Sequence, residues 1–171
     1  MIKFELLTKE NMTENALDNY DRIQNVERVY RKIDNEYVLV EDFGVMDWSF
    51  ERKRAVAKSL FSDDYITFGA IKEDEIVGFA SIEKQLQGKR IVLDMMQVSR
   101  KYRGNGIGKI LFQLVKAKAK EMEAKQLYIS ACSSKETIEF YKSMGCKITD
   151  NPIKKIAEDE PFDLQMVCDV G

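Results

Sequence analysis

Apolar residues along the chain fall into two rhythms, one of period two and one near 3.6, and the change between them marks the elements. Residues 2–8, Ile-Lys-Phe-Glu-Leu-Leu-Thr, alternate and predict a first strand. Leu17, Tyr20, Ile23, Val26, Val29, Tyr30 and Ile33 then fall near helical spacing, and Asn11 followed by Glu14 makes a helix start. One or two helices are therefore expected between Met12 and about Ile33. Residues 34–48 fit neither rhythm. Phe50 to Phe61 returns to a helix, basic on one side through Arg52, Lys53, Arg54 and Lys58. Tyr65–Ile71 and Glu75–Glu83 predict a hairpin about the turn Lys72-Glu73-Asp74, with Gly78 marking a bulge or close packing. Gln85–Lys89 turns the chain into the strand Arg90–Val98. A helix over Asn105–Ala124 follows, with Ile107, Ile110, Leu111, Leu114 and Val115 on its apolar face.

The short strand Gln126–Cys132 comes next. Ser133 with Glu136 then opens a helix that carries Ile138, Phe140, Tyr141 and Met144 and ends at Gly145. The last strands are expected at Cys146–Thr149 and Pro161–Asp169, with Phe162, Leu164, Met166 and Cys168 sharing one face. The order is β-α-α-β-β-β-α-β-α-β-β, an α/β chain of the α+β type. No repeat, low-complexity tract or linker interrupts it, so residues 1–171 are expected to form one domain.

Composition narrows the chemistry. The chain has 171 residues, 44% hydrophobic and 33% charged, which suits one domain with a sizeable core. Lys and Arg number 27 against 29 Asp and Glu, a net charge of −2, so no basic surplus points to nucleic acid. No apolar run approaches spanning length and the N-terminus has no signal-peptide core, so a cytoplasmic protein without membrane contact is expected. Cys132, Cys146 and Cys168 are odd in number and lack metal-ligand spacing, and no metal is expected. The chain has no histidine, which excludes Ser-His-Asp and Cys-His catalysis. Acid–base work falls to carboxylates, Tyr, Cys, Lys or water.

The strongest signal lies where the strand Arg90–Val98 runs into the following helix. Gly104, Gly106 and Gly108 alternate there, and a glycine turn at a helix start directs unpaired N–H groups at an anion. The Walker A pattern fails because Ile110, not Ser or Thr, follows Gly108-Lys109. The dinucleotide fingerprint fails for want of its third glycine. What fits is Arg/Gln-x-x-Gly-x-Gly/Ala, read as Arg103-Gly104-Asn105-Gly106-Ile107-Gly108, which resembles the acyl-CoA pyrophosphate loop of the GNAT superfamily of N-acetyltransferases. Residues 137–146, Thr-Ile-Glu-Phe-Tyr-Lys-Ser-Met-Gly-Cys, resemble that family's Ala-x-x-Phe-Tyr-x-x-x-Gly-Phe segment, and Ile76–Ile82 its third strand. The resemblance covers most of residues 64–169 and is weak before about residue 60. It departs at Arg100, where the family often has proline, and at Ser134, where it has asparagine, a change that weakens an expected cofactor contact. Thr137 and Cys146 replace alanine and phenylalanine.

The resemblance implies a single domain with a mixed, mostly antiparallel twisted sheet of about seven strands and about four helices. It also implies acetyl-CoA as co-substrate and no metal. Backbone N–H groups of Arg103, Gly104, Asn105, Gly106, Ile107, Gly108 and Lys109 would hold the diphosphate. The strand edge Met96-Gln97-Val98 would pair with the pantetheine amides, with Ser134 nearby. From its helix alone Tyr141 reads as a packed aromatic; the resemblance makes it the expected general acid. Asp94, an acid inside an apolar strand, is the candidate base, with Glu83 in reserve. The acceptor is expected to be a small-molecule amine, with a homodimer open since dimers are common in that family. A non-catalytic acyl-CoA sensor of the same fold is the alternative to an enzyme. By position, the segments between the first two strands and the final hairpin would form the acceptor side. Residues 34–48 hold Asp34, Glu36, Glu41, Asp42 and Asp47 with three aromatics, suited either to a cationic amine or to a solvated acidic loop.

Overall fold

The computed structural model describes residues 1–171. In chain order the elements are β1 (Lys3–Leu7), β2 (Gln24–Ile33), β3 (Glu36–Met46), α1 (Phe50–Leu60), β4 (Tyr65–Lys72), β5 (Glu75–Glu83) and β6 (Arg90–Val98). A single 3-10 turn, Arg100–Tyr102, leads to α2 (Ile107–Glu121), β7 (Gln126–Ala131), α3 (Lys135–Ser143), β8 (Lys147–Ile148), α4 (Lys154–Asp159) and β9 (Leu164–Asp169). Seven strands form one sheet in the order β1-β4-β5-β6-β7-β9-β8. Only β6 and β7 run parallel, so the sheet is mixed and mostly antiparallel, as the resemblance implies.

The first third of the chain departs from the expected helices. Residues 24–33 are a strand, paired with β3 as a separate two-stranded ribbon about the turn Asp34-Asn35. Both turn residues have positive φ, 50° and 65°, the conformation of the tightest hairpins. The register shifts between Val26 and Arg28, and Val26 and Val29 are both buried. Two buried valines three apart across an irregular ribbon mimic helical spacing. Residues 13–20 form successive turns, with Ala16, Asp18 and Tyr20 N–H each bonded three residues back, and the Asn11 side chain ties Thr8 to Leu6 instead of capping a helix.

Helices cover both faces of the sheet. On one, Leu111, Phe112, Val115 and Ala119 of α2 and Ile138 and Tyr141 of α3 join a core of 22 buried residues, larger than any other cluster. On the other, Val56, Ala57 and Leu60 of α1 pack with Leu7, Leu17, Tyr20 and Phe79. Strand β9 shows why both faces need cover: Leu164, Met166 and Cys168 enter the main core, while Val167 packs with Tyr128 beneath α4. Helix α4 was not expected, and Phe162 stays outside the strand, 68% exposed. Helix α3 is capped by Ser134 through Thr137 N–H, one residue later than the sequence pattern suggests. No helix is long and apolar enough to cross a membrane.

Gly78 is where α2 comes down on the sheet. A Cβ there would lie 3.2 Å from Ile107 Cγ2 and the Gln97 carbonyl and 3.3 Å from Leu111 Cδ1. Ile107 opens α2, so crowding at Gly78 presses directly on the glycine turn. Gly78→Val is expected to lower the unfolding free energy by about 1–3 kcal/mol, measured as a reduced urea midpoint at unchanged m-value.

Candidate active site

Strands β6 and β7 pair from Arg90–Gln126 to Leu93–Ile129 and no further. The cause is visible on the other side of β6. Ser81 faces Met95 and Ile82 faces Leu93, so Asp94 is the extra residue of a bulge. A bulge bends its strand and sharpens the local twist. Beyond it β6 continues along β5 to Val98, whereas β7 continues along β9 to Ala131. The sheet splits, and Asp94 and Ser130 are the first residues past the last shared pair, one on each lip.

A cavity of about 910 Å³ opens from this split. Met95, Met96, Gln97 and Val98 line it from β6; Arg103, Gly104, Gly106, Ile107, Gly108 and Lys109 from the loop and α2; and Phe140 and Tyr141 from α3. Gly104 and Gly106 have φ of 80° and 81°, a left-handed conformation open to glycine and strained for branched residues. Gly106 caps α2 without a side-chain bond, and the first helical bond is Ile110 N–H to Gly106 O, 3.2 Å. The N–H groups at the start of α2 thus face the cavity without a helical acceptor.

Arg103 is spent differently. Its Nε donates to Val98 O (2.8 Å), Nη1 to Ile23 O (2.7 Å) and Nη2 to Arg22 O (3.1 Å). One guanidinium ties the end of β6 to the segment before β2, and burial pushes its pKa down. Asn105 and Ser134 do not line the cavity. Asn105 is exposed and donates its amide to Tyr102 O at 3.1 Å. Ser134 is fully buried as the α3 cap, accepts from Gln24 Nε2 (3.2 Å) and donates to Thr137 Oγ1 (2.8 Å).

Tyr141 is 7% exposed, its ring packed against Phe112 and Phe140. Burial raises its pKa, with Cys146, Cys132 and Asp163 adding to the shift, so the phenol holds its proton. Asp94 opens into the cavity, and desolvation by the walls raises its pKa while Arg52 opposes the shift. Glu83 does not line the cavity, although burial and then the Asp94 charge raise its pKa too.

Two features of the wall escape the sequence reading. Arg22–Asn25 form part of it, although helical spacing was read through them; Arg22 is 5% exposed and stacks its guanidinium over Trp48 at 5.5 Å. Glu160 and Asp163, in the turn before β9, supply carboxylates. The signal was present as the acidic run Glu158-Asp159-Glu160 in the final hairpin, the segment the resemblance places on the acceptor side. None of residues 34–48 lines the cavity: Asp42 pairs with Arg31 at 3.3 Å and Asp47 bonds the Trp48 N–H.

A parallel strand pair split by a bulge, with a glycine turn opening a helix beside the split, defines an acyltransferase fold. The sequence model of the acetyltransferase (GNAT) family matches residues 26–146, and the chain belongs to that family. Among solved structures it is similar to nourseothricin acetyltransferase (TM-score 0.74, 17% identity, 99% of each chain covered). It is also similar to a Bacillus anthracis str. Ames protein described as a streptothricin acetyltransferase, in complex with acetyl coenzyme A (TM-score 0.70, 18% identity, 98% of this chain and 96% of that one). A third is the ribosomal-protein-S18-alanine N-acetyltransferase of Escherichia coli (TM-score 0.64, 15% identity, 100% and 95%). No curated protein matches the chain by sequence. At these identities the likeness is one of fold, and it extends through the first 60 residues, where the sequence resemblance was weak.

Removing the Arg103 guanidinium strands three carbonyls at once. Arg103→Met is expected to cost about 1–3 kcal/mol in stability, while Lys109→Ala, on the exposed start of α2, leaves the denaturation midpoint unchanged.

Proposed function

We propose that the protein transfers an acetyl group from acetyl-CoA to a primary amine. The observation that carries this reading is the convergence of three features on one cavity: unfilled N–H groups at a glycine turn, an unpaired strand edge, and a buried protonated phenol. Bound acetyl-CoA would supply an activated acyl carbon, its thioester. The residues of this chain supply the rest.

The N–H groups from Gly104 to Lys109 suit a diphosphate, because at a glycine turn no side chain stands between backbone donors and the anion. The β6 edge Met96–Val98, released by the split, can pair with the amides of an extended arm while its side chains stay packed. An N–H on that edge is also a donor for the developing oxyanion. Tyr141 has the proton the departing thiolate needs. Asp94 brings negative charge to the split and draws a protonated amine there.

A sensor of the same fold would need the diphosphate loop and the strand edge only. The placement of Tyr141 and Asp94 on the same cavity favours the enzyme. The family and the acetyl-CoA complex of a structural neighbour support the cofactor.

Acetyl-CoA at about 100 times its Kd is expected to stabilise the fold by about 2.7 kcal/mol, read as a raised Tm that ATP does not reproduce. Gly106→Val should raise the apparent KM for acetyl-CoA in a folded variant, since a branched side chain would stand where backbone must meet phosphate. An unchanged KM would remove the loop from the binding site. Tyr141→Phe keeps the ring contacts and should lose ~10²–10⁴-fold in kcat with acetyl-CoA binding retained. Turnover is followed as free CoA release across an amine panel, and a loss below about threefold would reduce Tyr141 to packing.

A further inference from the structure

We propose that the buried guanidinium of Arg22 receives a carboxylate of the acceptor, so that the protein's substrates are amines that also carry a carboxylate group. The proposal rests on the acetyl-transfer reading for the amine; the carboxylate seat is argued from Arg22 itself and is tested without turnover.

Arg22 is the one buried arginine of the chain, 5% exposed, and it lines the cavity. Arg31, Arg54 and Arg100 each meet a carboxylate, on Asp42, Asp18 and Asp21. Arg103 commits Nε, Nη1 and Nη2 to carbonyls. Arg22 has neither kind of compensation. Its Nη1 donates to Gln24 Oε1 at 3.3 Å, Nη2 has no acceptor in the protein, and Nε is buried without one. A guanidinium does not lose its proton to escape burial, and a buried charge left unpaired is costly. Burial, then repulsion from Arg103, pushes the Arg22 pKa down. The carboxylate whose charge reaches it is that of Asp47, which is bonded to Trp48 N–H at 2.8 Å. The Tyr20 hydroxyl, buried beside both guanidinium groups, also has no partner.

The unused donors of Arg22 are neighbours. Nε and Nη2 form one edge of a guanidinium, and Arg54 uses that edge to hold both oxygens of Asp18, at 2.7 and 2.8 Å. The edge on Arg22 is already oriented. Its plane rests on the Trp48 ring, 5.5 Å from the centroid. Gln24 takes Nη1 and is itself anchored, its Nε2 donating to Ser134 Oγ at 3.2 Å. Arg103 grips the backbone through the carbonyls of Arg22 and Ile23. A planar fork set in this way favours a planar anion with two oxygens. Nε lies under cover, so a carboxylate meets Nη2 first and Nε once the guanidinium turns on the Trp48 face.

Position separates this seat from the one proposed for the diphosphate. The N–H groups at the start of α2 belong to the face of the sheet that α2 and α3 cover. Arg22 enters from the opposite face, where Trp48 and Tyr20 pack with Phe79 and α1. Its backbone is tied to the end of β6 through Arg103, while its charge also acts on Cys132, just beyond the end of β7. The side chain therefore spans the mouth of the split. A phosphate dianion calls for several cationic donors, and Arg103 has none left to give; a single free fork suits a monoanion. A ligand held there by its carboxylate extends its amine into the cavity. The N–C bond forms and the C–S bond breaks with the carboxylate unchanged.

The first test uses the full chain carrying ¹⁵N-labelled arginine, with the Arg22 Nε–H signal assigned by its loss in Arg22→Met. The probes are γ-aminobutyrate, ε-aminocaproate and L-lysine, each beside the amine that lacks its carboxylate: propylamine, pentylamine and cadaverine. With and without CoA, at equal ionic strength, at least one acid should move the signal where its matched amine does not. If no acid does so, the proposal is overturned; a signal moved by CoA alone assigns Arg22 to the cofactor and overturns it equally. The second test reads CoA release. The kcat/KM of the preferred acid over its matched amine is expected to be ~10–100-fold, the discrimination of hydrogen bonds to a charged group. Arg22→Met should erase that ratio at unchanged acetyl-CoA KM, and Arg22→Lys, a charge without the fork, should restore part of it. The ratio is taken within each variant, so a change in stability or overall rate leaves it readable. A ratio that survives in Arg22→Met, or a raised acetyl-CoA KM in its place, overturns the proposal. Absence of CoA release from every amine would instead strike the acetyl-transfer reading, while the Nε–H titration still decides the carboxylate seat.

Discussion

The structure depends on one extra residue. Asp94 has no partner on β5, and the bulge it makes turns β6 away from β7 after four paired positions. Without that bend the parallel pair would continue, its backbone groups would satisfy one another, and no edge would be left for a ligand. A β-bulge costs a little ladder pairing locally and gains a pair of diverging strands with free backbone groups. The bulged residue is itself an acid, so the bend and the charge arrive at the same place. Everything that lines the cavity is arranged about this split: the glycine turn follows β6, Tyr141 stands on the helix after β7, and Asp163 hangs from Ser130 on the other lip.

An opened sheet needs ties, and they come from side chains. Arg103 bonds three carbonyls and so fastens the free end of β6 to residues 22 and 23. Ser99 adds a second tie, donating its N–H to Val77 O and accepting Asp21 N–H on its hydroxyl. On the other lip, the ribbon β2–β3 docks on the turn before α3 through Tyr30 N–H to Ser133 O at 2.8 Å. The segment lining the cavity between these ties, Arg22–Asn25, is thus held at both ends. Such a wall can present side chains to a ligand without itself being regular structure.

Legibility followed locality. The cofactor side lies in one stretch from Asp94 to Lys109, where strand, turn and helix succeed one another, so its motif could be read from spacing alone. The last strand was equally plain, because Leu164, Met166 and Cys168 alternate into the core. The ribbon was not, because an irregular register put Val26 and Val29 three apart and imitated a helix. The acidic wall was hidden for a different reason. Glu160 and Asp163 join Asp94 in the cavity wall only because β9 pairs beside β7, more than sixty residues further along the chain. Residues 34–48 had the more conspicuous acidic run, yet the ribbon turns it to solvent and to Arg31. Composition showed that there was enough negative charge for a cation; only the topology shows which charges meet.

The cavity that results has two ends of opposite sign. Arg22, Arg100, Arg103 and Lys109 line it on the side of the glycine turn, Asp94, Glu160 and Asp163 line it at the split, and Glu136 adds a carboxylate from the first turn of α3. The net charge of the chain, −2, conceals this separation. Within a walled cavity such charges act at shorter effective screening than on an open surface, so an anion and a cation entering together are directed to different ends. The opposition also reconciles two demands that would conflict in a uniform site. A diphosphate favours positive potential and an ammonium group negative potential. The buried Tyr141 phenol lines the same cavity, and the split in the sheet is what opens the acidic side of its wall.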